Sequence, residues 1–363
     1  MDPLTHTLVG ASLAATRLGK RTSGAAAALV VGANLPDVDV LSYVAGSDAA
    51  LGFRRGWTHG VLALAVLPAL LALVVWLVER QRARRRSRKP ISVGWLFALS
   101  YLAVLTHPAL DWLNTYGMRW LMPFRDTWFF GDAVFIMDPW LWMILGVSWL
   151  LGRRPTRRLL ITWAVCVGLL LLVVGARASS FLPVLLTVAI FLLAALIVRP
   201  GQGSLSCERV AMSGFVLACL YVLTLIGLQA ATEKRVRVEL GRQSPFEPGK
   251  LMVGPVPVDP LVWNVVMKQD GNIRHGRFAW RDGGSLIWSD DLFRAADDSP
   301  LWEEIQRSGQ SPGFMRWVRF PWLETEKVES GTRVYLMDGR YVRRRASGFG
   351  AAVIDLPAAS SPW

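Results

Sequence analysis

Cysteine is scarce in this chain: its 363 residues hold three. Cys166 and Cys219 fall in apolar stretches and Cys207 in a linker, so no disulfide framework can form and redox chemistry has no motif to rest on. Charge is scarce too. Only 18% of residues are charged against 53% hydrophobic, with a mean hydropathy of +0.35, which excludes an ordinary soluble protein. A cleavable leader is not expected, because the basic residues of "MDPLTHTLVGASLAATRLGKR" follow its apolar stretch rather than precede it. No internal repeat or low-complexity stretch stands out beyond the apolar runs.

What the chain has in abundance is apolar runs long enough to cross about 30 Å of hydrocarbon at about 1.5 Å per residue. They lie near 60 to 78, 92 to 110, 139 to 151 (short), 159 to 176, 181 to 198 and 210 to 229. Two weaker segments, 4 to 18 and 24 to 35, are rich in Ala, Gly and Ser, and predict short helices packed closely on their neighbours. After about residue 231 the pattern changes to alternating stretches such as "LVWNVVMKQ" and "TRVYLMDGRYVRR", with turn signals "QDGN", "RDGG" and "MDGR" and one helical stretch, "SPLWEEIQRSG". The fold expected is mainly α, a polytopic transmembrane helical bundle with a small C-terminal extracytoplasmic α+β domain. Its parts are 1–150, a membrane domain carrying the site; 151–230, additional spans; and 231–363, the α+β domain. The tail's Trp residues fit either a packed core or a lipid interface.

The formal net charge of +13 raises nucleic acid as a partner. The main basic runs, "ERQRARRRSRK" (79 to 89) and "GRRPTRR" (152 to 158), however, abut apolar segments, where the positive-inside rule places them. They point to membrane lipid as the partner, with no nucleic acid expected, and say nothing of oligomeric state. With both runs cytoplasmic, the chain lies in the inner membrane as a multi-pass protein, and everything after about 231 is extracytoplasmic.

On that topology the polar residues gather. Histidine occurs four times, at His6, His59, His107 and His275, and the first three belong to the membrane half. His59 precedes one span, His107 ends the next, and "NLPDVD" carries Asn34, Asp37 and Asp39 between two short segments; all fall at the outer face. "FFGDAVFIMDPW" adds Asp132 and Asp138 there. Imidazoles with carboxylates are the ligand types for zinc or another borderline divalent ion, and the i, i+4 spacing of His107 and Asp111 puts both on one helix face. An ion also offsets the cost of carboxylates near hydrocarbon. Pro108 loosens the turn between them and Pro36 stiffens the Asp loop. The plain alternative is that these residues are helix caps and interhelical hydrogen bonds. His275, in "GNIRHGRF", reads as an ordinary surface histidine.

Five motifs, "DPLTHTLVGASLA", "GANLPDVDVLSY", "RGWTHGVLALAV", "LTHPALDWLNTYG" and "FGDAVFIMDPWLW", occur in order over roughly residues 1 to 150. The chain resembles in them the membrane-bound metal-dependent hydrolases, also labelled LexA-binding, inner membrane-associated hydrolases. Later parts such as "GPVPVDPLVWNVV" resemble longer members less distinctively. The order His, Asp, His, HxxxD is more distantly similar to the zinc-dependent phospholipase C and P1 nuclease group. That likeness implies His6, Asp37, His59, His107 and Asp111 as ligands of one or more zinc ions, with Asp39 a ligand or an orienting neighbour. The later histidines of that group's pattern have no counterpart here, and Asp132 and Asp138 are the acids available in their place. The LexA label implies DNA-linked regulation, yet no LexA surface is legible in these residues.

The function expected is metal-assisted hydrolysis of a phosphoester at the outer face, on a lipid, a lipid-linked phosphate or another amphiphile. Bound metal acidifies water and stabilises phosphoryl charge, with Asp39 or Asp138 as general base. Arg54, Arg55 and Arg125 either engage the phosphate or are flanking charges, and Trp57, Trp112, Trp128 and Trp140 suit an interfacial aromatic belt. The rivals are a non-catalytic metal-binding or transport protein, and a scaffold whose C-terminal domain recruits a partner. An ion path needs ionisable groups along its length, and "LLITWAVCVGLLLLVVGA" and "FLPVLLTVAIFLLAALIV" have none.

Overall fold

The computed structural model describes residues 1–84, 90–151, 161, 165, 168, 207–242 and 250–357. Of the sequence expectations, the basic run 152 to 158 and the span 181 to 198 lie outside the described residues, as does the span 159 to 176 except at three positions. The chain divides into two compact units, Met1–Val38 with Arg55–Leu228 and Pro255–Pro260, and Asp39–Arg54 with Gln229–Gly254 and Leu261–Trp363.

The first unit is helical. Helix α1 (Pro3–Ala15) starts where Asp2 accepts a hydrogen bond from the Thr5 amide at 3.0 Å, with Pro3 in the first turn, a position that needs no N–H. Helices α2 (Ala25–Gly32), α4 (Val61–Ala83), α5 (Val93–Trp112) and α6 (Pro139–Leu151) follow. Glycines set how close they come: a Cβ on Gly10 of α1 would lie 2.6 Å from the Leu29 carbonyl of α2, and one on Gly32 would lie 2.7 Å from the Ala103 Cβ of α5. The small-residue segments thus pack as their composition predicts. Leu8, Leu13, Leu29, Leu99, Val134 and Trp142 are among the buried side chains that fill the space between α1, α2, α5 and α6.

Three helices among the described residues are long and apolar enough to cross a membrane: Val61–Ala83, Val93–Trp112 and Glu208–Gly241. Helix α2 and the 3-10 helix Leu35–Ala45 meet the same test as a pair bent by 42°. Helix α6, at 13 residues, is about 20 Å long, short of the hydrocarbon thickness. The long helix runs Cys207–Gly241, well past the apolar run that ends near 229. Its polar extension is held at i, i+4 by Gln229 to Glu233 at 3.0 Å and by an Arg237–Glu233 ion pair at 2.7 Å.

The second unit is mostly sheet. A four-stranded sheet has the order β1 (Leu251–Pro255), β2 (Val262–Gln269), β3 (Asn272–Ala279), β4 (Ser285–Arg294). A three-stranded one has the order β5 (Pro321–Val328), β6 (Gly331–Asp338), β7 (Ala351–Pro357). The β2–β3, β3–β4, β5–β6 and β6–β7 pairings are antiparallel. Asp270 and Gly271, both at positive φ (50° and 72°), make the tight turn between β2 and β3 that "QDGN" predicts. Helix Trp302–Arg307 falls in "SPLWEEIQRSG".

Trp263, Trp317 and Trp322 are fully buried, so these tryptophans form core. Burying a large apolar side chain contributes about 1.5–3 kcal/mol. His275 is buried as well, at 1% exposure, and donates from Nε2 to the Gly339 carbonyl at 2.7 Å. The surface position expected for it is wrong: its ring packs edge-on against Phe293 and its Nε2 reaches Gly339, far along the chain. Helix α3 (Ser47–Phe53) joins this unit although it comes early in the chain, and Asp48 accepts from the amides of Gly313 and Phe314 at 3.0 and 2.8 Å, capping helix Pro312–Trp317.

Candidate metal centre

Three separate elements deliver one polar cluster inside the first unit. Asp37 comes from the 3-10 helix, one residue after Pro36. His59 comes from the turn before α4, whose N-terminus is Gly60; a Cβ there would lie 2.5 Å from the Met122 carbonyl, so only glycine lets this turn settle. His107 and Asp111 come from the last turns of α5, where Pro108 removes the amide that would have bonded the Val104 carbonyl. One ligand atom from each of Asp37, His59, His107 and Asp111 lies within 4.8 Å of the other three.

Asp111 is the hub. Its Oδ2 is 3.3 Å from His59 Nε2 and 3.7 Å from His107 Nε2, and its Oδ1 is 3.3 Å from His6 Nε2. The ring of His6 stacks on that of His107 with centroids 3.7 Å apart. Arg55 approaches the same carboxylate with Nε 3.0 Å from Oδ2 and Nη2 3.3 Å from Oδ1. The Met1 amino group is ion-paired to Oδ1. His107 Nε2 lies 3.6 Å from Asp37 Oδ1. All of these side chains are buried except Asp37, whose side chain is 19% exposed.

The orientation of His107 tests whether this set suits a metal ion. Its Nδ1 lies 2.7 Å from the Ala33 carbonyl. A carbonyl only accepts, so Nδ1 carries the proton and Nε2 turns its lone pair into the cluster. There Nε2 is buried and makes no hydrogen bond. A histidine whose other nitrogen donates to a backbone carbonyl is the usual ligating arrangement. Two imidazoles and two carboxylates form a donor set for a borderline divalent ion such as Zn2+. The residues present therefore fit a metal.

The other expected residues go elsewhere. Asp138 caps α6, with Oδ1 accepting from the Trp140 and Leu141 amides at 2.9 and 3.1 Å and Oδ2 accepting from the Tyr221 hydroxyl at 3.0 Å. Asp39 and Arg54 belong to the second unit, where they pair at 3.2 Å. Arg125 is exposed. Asp132 is buried with φ at +50°. Of the four tryptophans read as a belt, Trp57 and Trp112 are exposed, whereas Trp140 donates to the Val258 carbonyl at 2.8 Å and Trp128 lies under the Arg119 guanidinium.

Sequence reasoning missed Asn114, whose Oδ1 accepts from Arg55 Nη1 and from the Tyr116 amide, both at 2.9 Å. It also missed Thr58, 2.9 Å from His59 Nδ1. Asn114 lies three residues past Asp111, in the turn that follows α5, and that nearness in sequence is the signal that was available.

Comparison with known proteins agrees with a membrane setting. The family model described as YdjM inner membrane protein matches residues 1–181. The Bacillus subtilis (strain 168) protein named "Uncharacterized protein YfhP" is 24% identical over 179 residues, covering 46% of this chain and 52% of that protein. The chain thus spans about half the length of this curated relative. No solved structure matches. Three helices among the described residues have membrane-spanning length, and all four candidate ligand residues lie inside the stretch that is similar to the YdjM inner membrane protein family.

Proposed function

We propose that this protein is an integral membrane metal-dependent hydrolase, acting on a phosphoester of a lipid or other amphiphile at the outer face of the inner membrane. The observation that carries the reading is the inward-facing Nε2 of His107, set among Asp37, His59 and Asp111. These four residues hold the ion, with Zn2+ the best match to the donor set. Bound there, a divalent cation supplies Lewis-acid polarisation of the ester and a water acidified toward neutrality.

The chain's own residues do the rest. Arg55, held by Asn114 and by the Tyr116 ring 4.4 Å from its guanidinium, fixes both oxygens of Asp111. This argues for a positioning role in place of the phosphate contact expected for Arg55. Ala33 fixes the tautomer of His107. His6 packs on His107 and, with its Nε2 protonated, donates to the Asp111 carboxylate. The outer-face assignment, and an extracytoplasmic C-terminal unit, follow from placing the basic run 79 to 89 on the cytoplasmic side.

Full burial of His59, His107 and Asp111 favours a second reading, a non-catalytic ion that fastens α5, the His59 turn and the 3-10 helix together. Metal analysis of the detergent-purified protein beside His59→Ala and His107→Ala, followed by a phosphodiesterase and phosphatase screen, separates the readings. Metal in the wild type alone, with turnover that both variants lose, supports the hydrolase. Metal without turnover supports the fastening ion, and equal metal in all three removes both.

A further inference from the structure

Asp37 is the one ligand of the four with an exposed edge, and it stands in the wall of an open groove of about 460 Å3. The rest of that wall is Pro3, Val30, Val31, Leu35 and Val38, with Asn34. Asn34 offers the groove little polarity, since its Nδ2 donates to the Val30 carbonyl at 2.9 Å and its Oδ1 accepts from Thr7 at 3.1 Å. Val31 and Val38 are 47% and 44% exposed. In water this would be an unfavourable surface. Apart from Pro3 and Asn34, however, the groove is built by α2 and the 3-10 helix, the bent pair with the length and apolarity of a membrane span. Their length and apolarity suit them to lie against hydrocarbon.

We propose that this groove takes the hydrocarbon chain of a lipid and so leads its polar ester to the metal centre at Asp37. The inference rests on the hydrolase reading and narrows it: the substrate is recognised by its chain, with almost no hydrogen bonding in the groove to select a headgroup. A groove of this volume falls within the range of about 300–1,000 Å3 usual for small-molecule sites, which are likewise mostly apolar with a few placed polar groups. The opening at Asp37 also solves an access problem. His59, His107 and Asp111 have no exposed surface, so among the described residues the approach to the cluster runs past Asp37.

Two measurements test it. In the first, the full-length protein in vesicles of phosphatidylethanolamine and phosphatidylglycerol is photolabelled with a phosphatidylglycerol carrying a diazirine at the end of one acyl chain. Labelling of residues 30 to 38 is expected to saturate and to be competed by lysophospholipid, whereas labelling of the exposed α4 residues Leu70 and Leu73 rises in proportion to probe. Val31→Trp and Val38→Trp fill the groove, and because both positions are half exposed the substitutions do not overpack the core. Each is expected to abolish the saturable label at unchanged metal content and melting temperature.

In the second, turnover of long-chain phosphatidylglycerol falls about tenfold in those variants, the scale of a lost apolar pocket, while turnover of bis(p-nitrophenyl) phosphate, which has no chain, stays as in the wild type. Unsaturable labelling at 30 to 38, label unaffected by either tryptophan, or equal loss of both activities overturns the groove. Saturable labelling in a protein without metal or turnover keeps the groove and removes the hydrolase.

Discussion

Arg55 and Asp111, far apart in sequence, form a buried ion pair in which Nε and Nη2 of the arginine lie 3.0 and 3.3 Å from the two carboxylate oxygens. Two charges in such a place hold only if each keeps its partner: removing one member of a buried pair costs about 3–5 kcal/mol because the other is left uncompensated. Arg55→Met is therefore expected to lower the melting temperature clearly and to weaken metal binding by about 10–100-fold, the usual effect of losing a group that orients a ligand. Arg55→Lys restores the charge but not the two-point contact, and recovers less than half of the loss on the free-energy scale. Unchanged melting and unchanged metal affinity in Arg55→Met would show that Asp111 is held by something else.

Gly32 controls the geometry one step further out. With a Cβ there only 2.7 Å from that of Ala103 and 3.1 Å from Leu71, Gly32→Val must push α2 off α5, and inserting such bulk typically costs about 1–3 kcal/mol. The shift carries away the neighbouring Ala33 carbonyl and with it the acceptor that keeps the proton of His107 on Nδ1. Metal content should drop in Gly32→Val although no ligand has changed; full metal occupancy in a destabilised protein would break the link between this helix contact and the site.

A bound ion also stabilises the fold it joins. Ligand at a hundred times its dissociation constant adds about 2.7 kcal/mol to a state that alone binds it. Chelation of the purified protein is expected to lower the melting temperature, with recovery on adding Zn2+, and His107→Ala should melt where the chelated wild type does. A chelator that leaves the wild-type transition in place argues for a site that holds no ion.

The second unit has a pH dependence of its own. Burial holds His275 below the ordinary imidazole value, against the opposing pull of its Gly339 hydrogen bond. The unfolded chain takes up a proton there as pH falls through about 6.5, while the folded one does so only at lower pH. The stabilisation is thus complete above about pH 6.5 and is lost as pH falls below it. His275→Gln should flatten this part of the stability profile on the acid side of about pH 6.5, read by thermal melting of the full chain at each pH. An unaltered profile would mean that other groups set it.

Asp48 gives a test of how the early segment is built in. Its carboxylate serves the Gly313 and Phe314 amides, and losing such a cap costs about 0.5–2 kcal/mol. Asp48→Ala should speed limited proteolysis near residues 311 to 317, with Asp48→Asn in between; identical cleavage rates would make this contact incidental.

The sequence alone determined the membrane class, because mean hydropathy and run length depend on composition and not on packing. Helices stand where the apolar runs near 60 to 78, 92 to 110 and 210 to 229 lie. The pairing of His107 with Asp111 was equally legible, since an i, i+4 spacing on a helix fixes a shared face whatever surrounds it. Strands of the C-terminal unit showed in their alternation and in Asp-Gly turns, where backbone sterics choose the residue.

Tertiary structure decided which polar residues share a space. Asp37 and Asp39 sit two residues apart, yet one enters the metal cluster and the other pairs with Arg54 in the second unit, a parting that no local pattern encodes. Asp138 carries no mark in the sequence of the helix cap it forms; its hydrogen bonds to the α6 amides and to Tyr221 come from the fold. His275 was misread because a histidine beside glycine and arginines in the sequence gives no hint that Phe293 and Gly339 meet its ring. The physical reason is common to all three: burial and partnership are properties of contacts between distant segments, and a sequence specifies these only through the fold as a whole.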